Sequence, residues 1–395
     1  MEGNRSKAVE QEKKQADKKK TVLILDLRKD CECGNIISER LSTQDFAAIT
    51  VCGDRFSSVF EQVIDEFLNK YIGLKKAQNV LSSAARNALS ILPLPKRESL
   101  AYYKKMPLHN KIKNAILRYN PDLILCLSPE ALKGACAYRE YVKGHFIAGA
   151  LIDGYYPDKR FAVKQADFLI VDNYDIKQQF IAYGINEEKI FTSPVPVSPA
   201  SEKQLSREDA LKQFELDDKP SVFIHTGSLG DERFKKVLAD IGLGDKVNIL
   251  IYCGQNQRLE RFAEELYKPW IRVVGEEDVP VAVGLCDMAV ARPQASVIAP
   301  IIYMEKIVFG IFATGTEERH TQDYLGYDII VPCKDIAQLK RNILHFIEDN
   351  KKYDDRLNHI RAAKAAEPQS RLNEILLEII NGKEANDPDN ENAGD

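Results

Sequence analysis

Two short glycine turns carry the residue pattern best suited to chemistry. Gly227-Ser228-Leu229-Gly230 follows the apolar run 221–226 and precedes a helix that opens at 231–234. Cys253-Gly254-Gln255-Asn256 follows a second apolar run, 247–252. Strand, glycine turn, helix, strand, glycine turn outlines a nucleotide-binding half-domain. Glycine lets backbone amides approach a phosphate, and the helix N-terminus adds partial positive charge. Gly227, Ser228 and Gly230 are the expected phosphate contacts, with an ordinary strand-to-helix turn as the plainer alternative. Gly254 and Asn256 either shape a base pocket or make a simple turn. Asp153 stands just past the strand 148–152, where a carboxylate could take the proton of an attacking hydroxyl or cap a turn. Arg292 follows another apolar run and could offset charge on a departing diphosphate, or form a surface salt bridge. His225 lies inside a strand and reads as a satisfied core histidine; His320 reads as an exposed helix residue.

The elements that must hold these residues alternate. Strands are expected at 21–26, 46–51, 123–127, 146–151 and 168–171, with helices at 59–71, 78–89, 111–118, 129–141 and 176–183 between them. Continuous apolar strands separated by helices imply a parallel sheet covered on both faces. Ser193-Pro194-Val195-Pro196-Val197-Ser198-Pro199 then breaks the pattern, because three prolines in six residues continue neither a helix nor a central strand. A second body follows, with later strands at 271–274, 288–290, 307–309 and 329–331 and closing helices at 335–349, 351–365 and 369–380. The expected division is a disordered basic arm at 1–20, a Rossmann-like acceptor domain at 21–192, a hinge at 193–205, a Rossmann-like donor domain at 206–382 and a disordered acidic tail at 383–395. The class is α/β, and two parallel-sheet domains facing across a cleft make the GT-B architecture.

A chain of 395 residues suits two domains of medium size, and 44% hydrophobic with 29% charged residues is ordinary for a globular protein. Its net charge of -4 gives no reason to expect nucleic acid as a partner. The first 20 residues are polar and lack the apolar segment of a secretory signal. The eight cysteines are scattered and read as reduced cytoplasmic thiols; Cys31 and Cys33 alone are close, a weak metal signal without a second pair.

From about residue 153 to 349 the chain resembles the glycosyltransferases of the monogalactosyldiacylglycerol synthase and processive diacylglycerol glucosyltransferase group. Gly184-Ile185-Asn186 through Ile190, with Pro194-Val195-Pro196-Val197, resembles the segment leading into that group's hinge. The two glycine turns, Asp287, Arg292-Pro293, and Gly315-Thr316-Glu317 with Asp323-Tyr324-Leu325 follow in the group's order. The resemblance implies a UDP-sugar donor, a lipid or membrane-linked acceptor, and inversion with neither metal nor cofactor. It places Asp153 as the base, and Arg292, Gln294, Ala295, Ser296 and Glu317 at the donor site. Residues 78–105, where basic and aromatic residues mix, could touch a membrane surface, which the resemblance favours, or form a loop with a solvated basic edge; the expected location is the cytoplasm, at the inner face of a membrane in the first case. Three departures stand out. Pro293-Gln294-Ala295-Ser296 replaces a Pro-Gly-Gly, so Gln294 and Ala295 either crowd the diphosphate or redirect the loop. Pro300 stands where a ribose-binding carboxylate is usual, leaving that contact to Glu305 or Glu317 if it is made. Asn35 stands where a histidine closes the N-terminal glycine loop, and asparagine is no general base. Two rivals are a catalytically degenerate binding or assembly partner and a sugar-nucleotide epimerase of the same fold.

Overall fold

A computed structural model of the chain describes residues 19–28, 31–42, 45–53, 107–142, 144, 146–203, 205–241, 243, 246–266, 268–326, 328–366 and 368–385. Residues 1–18 of the expected arm, 386–395 of the expected acidic tail, the helices at 59–71 and 78–89, and the basic-aromatic stretch through 105 lie outside the described residues, while Lys20 of the arm opens the first strand and 383–385 of the tail end the last helix.

The first body runs β1 (Lys20–Asp26), α1 (Glu32–Leu41), β2 (Phe46–Cys52), α2 (Pro107–Tyr119), β3 (Leu123–Cys126), α3 (Pro129–Val142), β4 (Ile147–Leu151), β5 (Phe168–Val171), α4 (Tyr174–Ala182) and β6 (Ile190–Thr192). Its sheet has the order β2-β1-β3-β4-β5-β6, and every pairing is parallel. The central strands are apolar and sealed on both faces, as helices on either side require.

The second body runs α5 (Arg207–Gln213), β7 (Ser221–His225), α6 (Phe234–Asp240), β8 (Asn248–Tyr252), α7 (Gln257–Glu265), β9 (Ile271–Val273), α8 (Val279–Leu285), β10 (Met288–Ala291), α9 (Ala295–Tyr303), β11 (Ile307–Gly310), α10 (Thr316–Leu325), β12 (Ile330–Pro332), α11 (Ile336–Glu348) and α12 (Asp354–Ala366). Its sheet order is β12-β11-β10-β7-β8-β9, again all parallel. In each sheet the chain steps outward from one strand, then returns to that strand's other side. The switch points lie between β1 and β3 and between β7 and β10, and crevices open there beyond the strand carboxyl ends.

The last helix, α13 (Arg371–Ala385), departs from the expected division. Leu372, Ile375, Leu376 and Ile380 fall on one face and lie in the core cluster of Val22, Ile37, Leu123 and Phe168, so α13 covers the first sheet rather than the second. Burying each of those side chains is worth about 1.5–3 kcal/mol. Two six-stranded parallel sheets, with the chain crossing back to the first, form the GT-B fold. The proline segment is clamped where the two bodies meet: Gln369 donates to the Val195 carbonyl and accepts from the Val197 amide, both at 3.1 Å. Arg40 of α1 also donates to the Val197 carbonyl. Among the described residues no helix is long and apolar enough to cross a membrane.

Candidate active site

The first crevice is built around a buried charge. Asp26, the last residue of β1, is wholly enclosed. Its carboxylate accepts from Arg28 Nε at 2.8 Å, Arg28 Nη2 at 2.9 Å, the Arg28 amide at 3.1 Å and the Gly34 amide at 3.2 Å. Gly34 is required there, because a Cβ would stand 2.8 Å from Thr50 and 3.1 Å from the Asp26 Cβ. Arg28 turns its remaining terminal nitrogen on Asp153, with Nη1 to Oδ2 at 2.5 Å. Burial opposes the guanidinium's charge, yet Asp153 and Asp26 hold its pKa well above the ordinary value. Burial and the Asp153 carboxylate push the Cys33 thiol well up, so it stays a neutral partner to Asp153. Asp153 is therefore a fixed, ion-paired carboxylate. Asp26 and Arg28 escaped the sequence reading; a lone aspartate ending an apolar strand was the available signal.

Asn35 lies within α1, one turn from its start, and its amide donates to the Cys31 carbonyl at 2.9 Å. The reading of all eight cysteines as reduced thiols is corrected at one place. Cys31 and Cys52 are joined as a disulfide, with Cα atoms 5.5 Å apart, and the other six are free and buried.

On the second sheet the two glycine turns interlock. Gly227, Gly230 and Gly254 have φ of 89°, 70° and 57°, a region that favours glycine. A Cβ on Gly230 would sit 2.2 Å from the Cys253 carbonyl, and one on Gly254 would sit 2.3 Å from the Gly227 carbonyl. Asn256 caps α7 through Oδ1 and donates to the Gly230 carbonyl at 3.0 Å and to Glu232 at 2.9 Å. Gly230, Gly254 and Asn256 thus knit one turn to the other. Gly227 is different: nothing lies within 4 Å of where its Cβ would be, so the space in front of it is open. Its amide is spoken for, donating to His225 Nδ1 at 3.1 Å. Ser228 accepts from the Gln255 amide at 2.9 Å, and the adjacent Leu229 is 73% exposed at the tip.

Arg292, just beyond β10, reaches this crevice but is taken up by carboxylates. It pairs with Glu318 of α10 and stands 3.5 Å from Asp231. Burial alone would raise the Asp231 carboxyl; hydrogen bonds from Arg233 and the nearby Arg292 outweigh it and hold it below the usual range. Glu318 also accepts the Thr314 and Gly315 amides at 2.9 Å each, closing the start of α10. Gln294 is the N-cap of α9 and makes no side-chain cap bond; Ala295 is buried and Ser296 partly so. The Glu317 side chain lies outside the described residues. Pro300 sits inside α9. Glu305 follows α9, at the end of the sheet away from the glycine turns, and binds Lys364 at 2.9 Å and Arg361 at 3.2 Å. The suggestion that it replaces the carboxylate missing at Pro300 is therefore overturned.

The two crevices touch through α10. His320, exposed as expected, stacks on Tyr156 with ring centroids 5.3 Å apart, and Tyr324 donates to Asn173 at 3.2 Å. Tyr155 enters the apolar cluster of the second body. The loop that carries Asp153 thus runs against the helix whose first turn holds Arg292.

No family model matches the chain. It is 23% identical over 183 residues to a processive diacylglycerol beta-glucosyltransferase of Staphylococcus carnosus, a match covering 46% of each chain. The match therefore spans about half the length of that curated relative. Among solved structures, UDP-GlcNAc 2-epimerase from Neisseria meningitidis bound to UDP-GlcNAc superposes with TM-score 0.55 at 11% identity, over 91% of this chain and all of that one. Anabaena HepE in complex with UDP-glucose also gives 0.55, at 14% identity, over 92% and 99%. At such identities the likeness establishes the GT-B fold.

Proposed function

We propose that this chain is a glycosyltransferase that moves a sugar from a UDP-sugar to a hydroxyl of a lipid or membrane-linked acceptor, with inversion and without a metal. The observation that carries the reading is the contact between crevices. An open glycine turn at one switch point is joined through α10 to a fixed carboxylate, Asp153, beside the other. Asp153 takes the acceptor proton as the acceptor oxygen attacks the anomeric carbon; the bond from that carbon to the diphosphate breaks, and UDP departs with the electron pair. Neutral N–H donors stabilise the charge that gathers on UDP. The similarity to the staphylococcal enzyme supports a lipid acceptor, and the fold shared with proteins solved with UDP-glucose or UDP-GlcNAc supports the donor class.

A second reading, a nucleotide-sugar-binding partner without turnover, is favoured by one observation: Arg292 and Asp153 are both engaged in ion pairs. The deciding experiment incubates the protein with labelled UDP-glucose, UDP-galactose or UDP-GlcNAc and vesicles containing diacylglycerol. Label in the lipid phase supports transfer. Binding without lipid label or UDP release supports the partner, and interconversion of free sugar nucleotides without lipid supports an epimerase.

A further inference from the structure

His225 ends β7 and is only 6% exposed. Because Gly227 donates to its Nδ1 at 3.1 Å, that nitrogen is the acceptor and the proton of the neutral ring sits on Nε2. Burial pulls the ring's pKa down to about 4, so it is neutral near pH 7. The ring lies 4.9 Å from Tyr252 and meets Phe223 edge-on at 5.9 Å. Among the described residues nothing accepts the Nε2 proton. Nε2 is not one of the fully buried side-chain atoms without a partner, which among the described residues are Ser193 Oγ, Arg292 Nε and Thr321 Oγ1, so the N–H of this otherwise enclosed ring reaches an opening and is able to donate there.

His225 pairs in register with Ala291 on one side and Tyr252 on the other, so it sits at the carboxyl end of β7, beside the switch point and two residues before Gly227. The cations there are already paired with carboxylates, Arg233 with Asp231 and Arg292 with Glu318 and Asp231, although the buried Arg292 Nε has no partner. An anion entering this crevice therefore meets guanidiniums shared with carboxylates, and an uncharged N–H adds a donor that no carboxylate holds. We propose that His225 is a donor-site residue: its Nδ1 fixes the first amide of the glycine turn, and its Nε2–H hydrogen-bonds a phosphate oxygen of the nucleotide diphosphate. This rests on the donor reading given above, and deepens it by naming a contact that the sequence reading assigned to the core.

The test uses the full chain, UDP as probe, titration calorimetry and thermal melting. Asparagine places an acceptor near the position of Nδ1 and nothing at Nε2; glutamine places an N–H donor near Nε2 and loses the first acceptor. His225→Asn is expected to melt within a few degrees of wild type and to bind UDP at least tenfold more weakly, about 1.4 kcal/mol. His225→Gln is expected to recover most of that loss. A folded His225→Asn variant that binds UDP as wild type does overturns the contact, as does an equal loss in both variants. If His225→Asn does not fold, His225→Gln decides alone: retained affinity supports the contact, and a tenfold loss in a folded protein overturns it. Failure of the wild type to bind UDP overturns the donor reading itself, a result that no comparison of variants could imitate.

Discussion

Replacing Arg28 with glutamine strands the buried carboxylate of Asp26. In the native protein Asp26 receives two guanidinium and two backbone hydrogen bonds and has no solvent exposure. Arg28→Gln removes both charged donors and leaves only the amides of residues 28 and 34. Breaking a buried pair by deleting one partner costs about 3–5 kcal/mol. The Arg28 side chain is 37% exposed, so water can partly replace it, and about 2–3 kcal/mol is the fitting range. For a domain of this size that lowers Tm by about 4–10 °C. Differential scanning calorimetry reads it directly. The double variant Arg28→Gln/Asp26→Asn should recover part of the loss, because it removes the stranded charge as well. A Tm shift under about 1 °C for Arg28→Gln, or further loss in the double variant, would refute the view that Asp26, Arg28 and Asp153 form one enclosed electrostatic unit.

Gly227→Val forces a β-branched residue to φ 89° in open space; about 1–3 kcal/mol of stability should be lost and UDP affinity should fall at least tenfold in a folded protein, while unchanged affinity would free Gly227 of any donor role. Asp153→Asn should lower turnover by at least a hundredfold and leave UDP affinity within about threefold, as loss of a base predicts; equal turnover would remove Asp153 from the chemistry. Tyr324→Phe deletes the hydrogen bond to Asn173, worth about 0.5–1.5 kcal/mol, and should quicken proteolysis between the bodies with little change in UDP affinity. Alkylation of the unfolded, unreduced protein should label six of eight cysteines and spare Cys31 and Cys52; eight labelled thiols would contradict their pairing.

Most strands were legible in the sequence because parallel strands buried on both faces leave continuous apolar runs, as at 21–26 and 221–226. Short amphipathic elements were not: α1 hides behind Cys31-Glu32-Cys33-Gly34-Asn35, which reads as a loop, and β6 has three residues. The glycine turns were visible as turns, but not the division of labour within them. That Gly230 and Gly254 meet each other's loops while Gly227 faces space depends on contacts across 26 residues of chain. The destination of α13 was hidden for a related reason. Its apolar face fits any sheet, and only the chain's path back across Val195 and Val197 selects the first one. Arg28 gave no signal, since its partners lie 2 and 125 residues away.

The most direct test of the account is calorimetric titration of the purified chain with UDP, UDP-glucose, UDP-galactose and UDP-GlcNAc. The account predicts micromolar binding of UDP and of at least one UDP-sugar, lost in Gly227→Val. Absence of heat with all four, in a protein that melts cooperatively, would contradict a nucleotide-sugar site on the second sheet.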